Sequence, residues 1–254
     1  MQSDTLLPSQ VDSFRDKGYC VVRSAVPAAT CSALRHQIQQ YVADQGVNLR
    51  HPEHHEILSD YKLIADECNI LLTPRLVSAV RQLFGRWSFR HSGEIGLAPI
   101  RTPIVQAEPV RGLITGWHVD GPNFRHRIDS TEQALVILVL LNEVDFQTGG
   151  TQVRIGSHWE TARVLAEEPD GLELPELVTA VVSKTQHCSI DTVTGHTGDA
   201  ILIHGMAVHA GSINNGSQPR VMLNTRMDWG EQVPADVEHP IAGPVARCMG
   251  TAVE

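Results

Sequence analysis

The chain has 254 residues, of which 42% are hydrophobic and 19% are charged, a balance typical of a globular protein with a substantial core. Its formal net charge of -9 argues against a protein that neutralises nucleic-acid phosphates with a basic surface. The five cysteines are scattered without CxxC spacing, which indicates reduced thiols rather than a disulfide framework or a zinc knuckle. No apolar stretch is long enough to cross a bilayer. We therefore expect a single cytoplasmic domain, a monomer or a homodimer, that acts on a small molecule and binds neither nucleic acid nor a membrane.

Helix signals dominate the first third of the chain. They are an N-cap at Ser9 with a stop at Gly18, helical spacing between Pro27 and Gln45, and a start at Thr73-Pro74 with a stop at Gly85. A short apolar strand over 19–22 follows the first of these helices. We expect this helical region, over about 8–86, to buttress a core formed by the rest of the chain.

From Trp87 onward, short apolar runs are interrupted by Gly, Pro, Asn and Asp, which predicts an antiparallel β sandwich or barrel. The uninterrupted apolar run from Ala134 to Leu141 is the clearest buried strand. Turns at 148–150 and 195–199 introduce further strands over 151–155 and 200–204. We expect a mainly β fold with its helices first, a core over about 87–230 and a C-terminal tail over 231–254.

His118 and Asp120 lie one residue apart, and they are the strongest sign of chemistry in the chain. In an extended segment side chains alternate between two faces, so both would point the same way and Val119 the opposite way. An imidazole and a carboxylate can share one metal ion, and a second imidazole completes the set of two histidines and one carboxylate that holds ferrous iron. His209 is the best third ligand, because it follows the apolar run 200–203 and precedes a turn rich in Gly, Ser and Asn.

Arg220 follows His209 by eleven positions, across that turn and at the head of a returning apolar strand. If the hairpin closes, the planar guanidinium can reach the cavity behind the metal and pair with a carboxylate through two hydrogen bonds. A metal triad beside a buried arginine suits a 2-oxo dicarboxylic acid, which would chelate iron at one end and pair with arginine at the other.

Three segments resemble the phytanoyl-CoA dioxygenase family of iron(II)- and 2-oxoglutarate-dependent oxygenases, in a likeness that runs from about Leu7 to Asp228. They are the opening segment 7–22, the strand and turn from Gly149 to His158, and the last ligand region from Gly198 to Arg220. One position departs from the family, since Ile155 stands where it usually has proline. The resemblance implies a double-stranded β-helix, the cupin-like jelly roll, packed by N-terminal helices.

The resemblance also implies residue roles. His118, Asp120 and His209 would bind Fe(II), Arg220 would pair with the C5 carboxylate of 2-oxoglutarate, Thr151 would donate a hydroxyl hydrogen bond to the co-substrate carboxylate, and Gln106 would also contact it. Relatives that halogenate replace the carboxylate ligand with a small residue, so Asp120 points to hydroxylation or another oxidation.

The expected reaction consumes O2 and 2-oxoglutarate, with ascorbate as the reductant in vitro, releases succinate and CO2, and hydroxylates a biosynthetic or catabolic metabolite. Two alternatives stay open: a cupin-type metalloenzyme that needs no 2-oxo acid, and a binding protein of the same fold that lacks turnover. The loops 92–106 and 121–131 are expected to select the substrate.

Neighbouring side chains have open interpretations. Arg125, His126 and Arg127 would either meet the substrate or form a solvated basic loop, Trp117 would be core or pocket wall, and His204 would be a packed or hydrogen-bonded residue.

Overall fold

The structure, a computed structural model, describes residues 5–44, 72–91, 96–98, 116–121, 123–212, 214 and 220–250. These residues contain six helices and nine strands. The helices are α1 (Pro8–Lys17), α2 (Ala28–Asp44), α3 (Pro74–Phe84), α4 (Ser157–Ala166), α5 (Leu174–Lys184) and α6 (Gly243–Gly250). The strands are β1 (Tyr19–Val22), β2 (Phe89–His91), β3 (Gly96–Ala98), β4 (Leu135–Leu140), β5 (Thr151–Arg154), β6 (Ile190–Val193), β7 (Ala200–His204), β8 (His209–Gly211) and β9 (Met222–Trp229).

The strands form two antiparallel sheets. The larger has the order β1-β7-β4-β9-β2, with β3 also paired to β9, and the smaller has the order β6-β5-β8. An apolar cluster with members from both sheets, among them Val136 of β4, Val153 of β5 and Ile203 of β7, fills the space between them. The sandwich predicted from the apolar runs after Trp87 is therefore present.

The central strand β4 is buried on both faces, which explains its unbroken apolar sequence. Its odd-numbered residues 135, 137 and 139 pack with the N-terminal helices, and its even-numbered residues 136, 138 and 140 belong to the cluster between the sheets. Phe14 of α1, Leu34 of α2 and Leu83 of α3 cover the outer face of the larger sheet. In the described residues these N-terminal helices therefore pack against the outer face of the larger sheet.

The ends of the N-terminal helices follow their sequence signals, with one correction. Helix α1 begins at Pro8, so Ser9 lies inside its first turn and is not the N-cap, because proline suits the first helical position. The helix ends as predicted at Gly18, which has a left-handed φ of 86°. The hydroxyl of Thr73 caps α3 by accepting a hydrogen bond of 3.2 Å from the backbone N–H of Leu76.

Helices α4 and α5 lie between β5 and β6, where the expected order of helices first and strands afterwards placed no helix. They pack in a third apolar cluster that contains Leu165 of α4, Leu177 of α5 and Val119. Helix α6 occupies the predicted C-terminal tail, and its Val245 belongs to the same cluster.

The connection from His209 to Arg220 also differs from its prediction, because β8 and β9 do not form a hairpin. In the described residues β8 pairs with β5 in the smaller sheet, whereas β9 pairs with β4, β2 and β3 in the larger sheet. The chain crosses from one sheet to the other between these strands, and this crossing carries Arg220 to the opposite side of the inter-sheet space.

None of the helices in the described ranges is long and apolar enough to span a membrane.

Candidate metal centre

His118, Asp120 and His209 meet at the edge of the smaller sheet. The backbone N–H of His118 donates to the carbonyl of His209, and the reverse bond is also formed, each at 2.9 Å. This bridge holds the segment beside β8, so alternation directs His118 and Asp120 to one face. Val119 points to the other face and is buried against α4 and α5, as the period of two predicted.

The three side chains converge closely enough to share one ion. Candidate ligand atoms of His118, Asp120 and His209 all lie within 4.8 Å of one another. Asp120 Oδ1 is 3.5 Å from His118 Nε2 and 3.7 Å from His209 Nε2. The side chains of His118, Asp120 and His209 are 12%, 17% and 7% exposed to solvent, so the site is mostly enclosed.

Backbone carbonyls fix which nitrogen each histidine presents to this site. His118 Nδ1 donates to the carbonyl of Gly116 at 2.9 Å, and His209 Nδ1 donates to the carbonyl of Ala207 at 3.0 Å. A carbonyl only accepts hydrogen bonds, so Nδ1 carries a proton in both rings. Nε2 is therefore the nitrogen that faces Asp120, and it binds a metal ion once its own proton is displaced.

Asp120 remains ionised in this setting. Burial by itself would raise its pKa, but the hydrogen bond with His118 and the charges of His209 and His118 outweigh burial and hold the pKa well below its usual range. Asn224 of β9 adds a long hydrogen bond of 3.4 Å from its amide to Asp120 Oδ2. Two imidazole nitrogens and one carboxylate are the donor set of a non-haem Fe(II) site with open positions, so these residues fit that metal.

Arg220 and Thr151 lie together at one end of the inter-sheet space. Arg220 is 3% exposed, and its guanidinium donates to the carbonyl of Gly149, two residues before Thr151. Thr151 is buried on the same face of β5 as Val153, and Val153 stands opposite His209 in the sheet register. A ligand reaching from the triad toward Thr151 would therefore approach Arg220. Gln106 lies outside the described residues.

The sequence model of the phytanoyl-CoA dioxygenase (PhyH) family matches residues 14–222. The chain belongs to this family. The predicted enzyme class, a non-haem iron and 2-oxoglutarate-dependent oxygenase, is confirmed with it, and the His–Asp–His set that the cofactors require is present. Among the curated proteins, none matches the chain.

Solved structures with the same fold include three whose ligands or chemistry are stated. The epimerase SnoN in complex with Fe3+, alpha ketoglutarate and nogalamycin RO is 19% identical, with a TM-score of 0.61 over 89% of this chain and 84% of that chain. The alpha ketoglutarate-dependent carbocyclase SnoK from nogalamycin biosynthesis is 17% identical, with a TM-score of 0.61 over 90% and 86%. EctD from S. alaskensis, with 2-oxoglutarate and 5-hydroxyectoine, is 17% identical, with a TM-score of 0.56 over 90% and 77%. These similarities confirm the predicted jelly roll.

The family's Gly-Ser-His turn supports the site through a contact that the sequence analysis did not predict. Ser157 Oγ accepts a hydrogen bond of 2.8 Å from the backbone N–H of Val208, the residue before His209. His158 is buried in α4 and bonds at 3.0 Å to the carbonyl of Arg15, so it is a packing residue and does not cap a turn. The departure at Ile155 has a structural use, because its N–H, which proline lacks, donates to the carbonyl of Ser189 at 2.8 Å.

The loop after Asp120 is held by two contacts, one made by His126, which is buried and not solvated, and one made by Arg125 at the surface. His126 is fully buried, its Nε2 donates to the carbonyl of Gly121 at 2.8 Å, and its Nδ1 accepts from the amide of Gln133. Arg125 bonds instead to the carbonyls of Asp170 and Gly171, just before α5. The loop is therefore anchored by His126 on the inside and by Arg125 on the outside.

The remaining open interpretations are resolved by packing. Trp117 shares the outer face of its segment with Val119, where the guanidinium of Arg154 lies 4.5 Å from its ring centroid, so Trp117 is core and not pocket wall. His204 is buried and bonds to the carbonyl of Ile241 at 2.8 Å, as predicted for a hydrogen-bonded histidine. Asn224 was missed because an amide in a strand gives no signal of a metal site.

Proposed function

We propose that this protein is an Fe(II)- and 2-oxoglutarate-dependent dioxygenase that hydroxylates a small-molecule metabolite, with His118, Asp120 and His209 as the metal ligands. One observation carries the proposal: three ligand groups converge within 4.8 Å, and both histidines keep Nε2 available beside an ionised carboxylate. Membership of an oxygenase family supports it. A small-molecule substrate and a cytoplasmic location are part of the same proposal.

The protein contributes binding, orientation and exclusion of water. Arg220 pairs with the C5 carboxylate of 2-oxoglutarate, and Thr151 donates its hydroxyl to the same group from the adjacent strand end. Bound iron and 2-oxoglutarate supply the oxidation, in which decarboxylation to succinate and CO2 accompanies the use of O2. The enclosed position of the triad keeps bulk water away from the reacting atoms.

Hydroxylation is proposed over other outcomes because Asp120 occupies the carboxylate position and no further redox group is needed. The fold also serves an epimerase and a carbocyclase, so the choice of outcome depends on how the substrate lies over the metal.

The first test measures succinate release from Fe(II), ascorbate and 2-oxoglutarate without added substrate. Arg220→Ala is expected to raise the KM for 2-oxoglutarate about 100-fold, because it removes charge-assisted hydrogen bonds to a buried carboxylate, while iron affinity stays within about twofold. Asp120→Ala is expected to abolish iron binding. Arg247→Ala, at a half-exposed arginine of α6, serves as the control and should match the wild type.

Two outcomes contradict the proposal. An unchanged KM for 2-oxoglutarate in Arg220→Ala favours a cupin-type metalloenzyme that uses no 2-oxo acid at this position. Absence of both iron binding and succinate release in the wild type favours a binding protein of the same fold.

A further inference from the structure

A second arginine, Arg226 of β9, lies on the same strand face as the residue that contacts the metal ligand. Met222 belongs to the cluster between the sheets, and Asn224, two residues later, reaches Asp120. Strand alternation puts Arg226, a further two residues on, on that inner face, opposite Val136 of β4. Side chains 222, 224 and 226 therefore form one row that passes beside the triad.

The Arg226 guanidinium lies beside the loop that follows Asp120. Its central carbon lies 5.7 Å from the ring centroid of Phe124. That ring packs against Gly121, where an added Cβ would lie only 2.6 Å from it. Gly121 directly follows Asp120, so the aromatic ring packs beside the segment that carries the carboxylate ligand, and the guanidinium lies next to that ring. Each of the two residues is partly exposed, as a group that meets an incoming molecule must be.

Arg220 and Arg226 occupy opposite sides of the triad along this row. Arg220 precedes Asn224 by four residues and is buried against Gly149, whereas Arg226 follows Asn224 by two and contacts the ligand loop. Six extended residues separate the two Cα atoms by roughly 20 Å, so the two side chains start from different ends of this row. If Arg220 holds the co-substrate, Arg226 faces the side that remains for the substrate.

We propose that Arg226 and Phe124 form a substrate subsite that selects molecules carrying a carboxylate or phosphate group next to an apolar or aromatic part. A guanidinium pairs with such anions through two hydrogen bonds, and the ring contacts the adjoining apolar atoms. The inference rests on the proposed function and narrows its substrate to anionic metabolites. The chain as a whole has a net charge of -9 and so does not attract anions. A cation at this subsite would therefore favour anionic substrates over neutral ones locally.

The experiment titrates phenylacetate and phenylacetamide, which share a shape and differ in charge, into the anaerobic enzyme supplied with Fe(II) and 2-oxoglutarate. We expect the wild type to bind phenylacetate at least about tenfold more tightly than phenylacetamide. Arg226→Gln should lose this preference, Arg226→Lys should keep part of it, and Phe124→Leu should weaken both probes equally. Arg163→Gln is the control, because this exposed arginine of α4 pairs with Glu160 and should leave the preference unchanged.

Three results overturn the inference. They are equal binding of the two probes by the wild type, including no binding of either; a preference that survives in Arg226→Gln; and a tenfold rise in the KM for 2-oxoglutarate in Arg226→Gln, which assigns Arg226 to the co-substrate. Failure of the proposed function is recognised separately, by the absence of iron binding and succinate release in the wild type. Repeating the titration without iron and 2-oxoglutarate then reports the probe preference independently of turnover.

Discussion

The choice of ring nitrogen separates the two proposed ligand histidines from the other buried histidines. In His118 and His209, Nδ1 donates a hydrogen bond to the backbone carbonyl two residues earlier in the chain, so Nε2 is the nitrogen that can bind a metal. Among the described residues, the four other buried histidines are His126, His158, His204 and His239, and in each of them Nε2 donates to a backbone carbonyl. Residue type alone does not make this distinction, since it depends on which backbone oxygen lies beside the ring.

His126 is the structural histidine with the most direct influence on the metal site. Its Nε2 holds the carbonyl of Gly121, the residue after Asp120, and the amide of Gln133 holds its Nδ1 in turn. Burial lowers the pKa of His126 and the charge of Arg226 lowers it further, so the ring stays neutral and this donor pattern persists. We expect His126→Leu to weaken Fe(II) binding about tenfold, because the hydrogen bond that holds the Gly121 carbonyl, and with it the backbone next to Asp120, is lost. Equilibrium titration with Fe(II) measures this directly.

Two further variants separate positioning from loss of stability. His126→Gln keeps an amide donor for the Gly121 carbonyl and should restore most of the iron affinity. His239→Leu removes an equally buried histidine that bonds to the carbonyl of Phe84, far from the triad, and should destabilise the fold without changing iron affinity. Wild-type iron affinity in folded His126→Leu would disprove the positioning role.

At the scale of elements, α5 is tied to the smaller sheet by Arg154 of β5. Its guanidinium donates to the carbonyl of Val182 at 2.6 Å and to Thr185 Oγ1 at 2.7 Å, and it lies over the ring of Trp117. Trp117 precedes His118, so this one side chain links the end of α5, the sheet and the segment that carries two ligands. A helix absent from the sequence prediction thereby becomes part of the support of the site.

We expect Arg154→Met to lower the free energy of unfolding by about 3 kcal/mol, since it removes two charge-assisted hydrogen bonds and a cation–π contact at a buried position. Arg154→Lys should lie between this variant and the wild type, because an ammonium group lacks the planar fork and stacks less well. Urea unfolding measures both. Arg163→Met, at an exposed arginine paired with Glu160, should cost less than about 1 kcal/mol, and an equal cost at the two positions would contradict this interpretation.

Local patterns predicted the strands and selected His118, Asp120 and His209, which converge in the structure, and long-range packing accounts for what these patterns missed. The apolar run of β4 and the spacing of His118 and Asp120 are readable because alternation in a strand has a fixed period. Helices α4 and α5 were missed because their packing partner, the outer face around Val119, is distant in sequence. Asn224 and Arg226 were missed because their proximity to Asp120 arises from the pairing of β9 with β4, which no short pattern encodes.

At the scale of the whole molecule, helices cover the outer face of the larger sheet, α5 contacts the smaller sheet through Arg154, and the triad lies at the edge of the smaller sheet. This layering buries histidines at the junctions between layers. The ring of His204 on β7 lies 4.8 Å from that of His158 on α4 and bonds to the carbonyl of Ile241, which leads into α6. Both rings must stay neutral, because burial lowers the pKa of each, that of His204 to about 4.

These neutral histidines predict acid lability with a defined sign. Between pH 6.5, the ordinary pKa of histidine, and about pH 4 the unfolded chain binds a proton at position 204 that the folded chain does not. Stability is therefore complete above about pH 6.5 and falls as the pH drops toward 4, by about 3 kcal/mol for His204 alone. Urea unfolding of the metal-free protein at pH 7, 6 and 5 should show this decline.

His204→Gln should be less stable than the wild type at pH 7 but should lose less unfolding free energy on acidification. His196→Gln, at an exposed histidine, serves as the control and should keep the wild-type dependence of stability on pH. A wild-type slope in His204→Gln would show that acid acts elsewhere in the molecule.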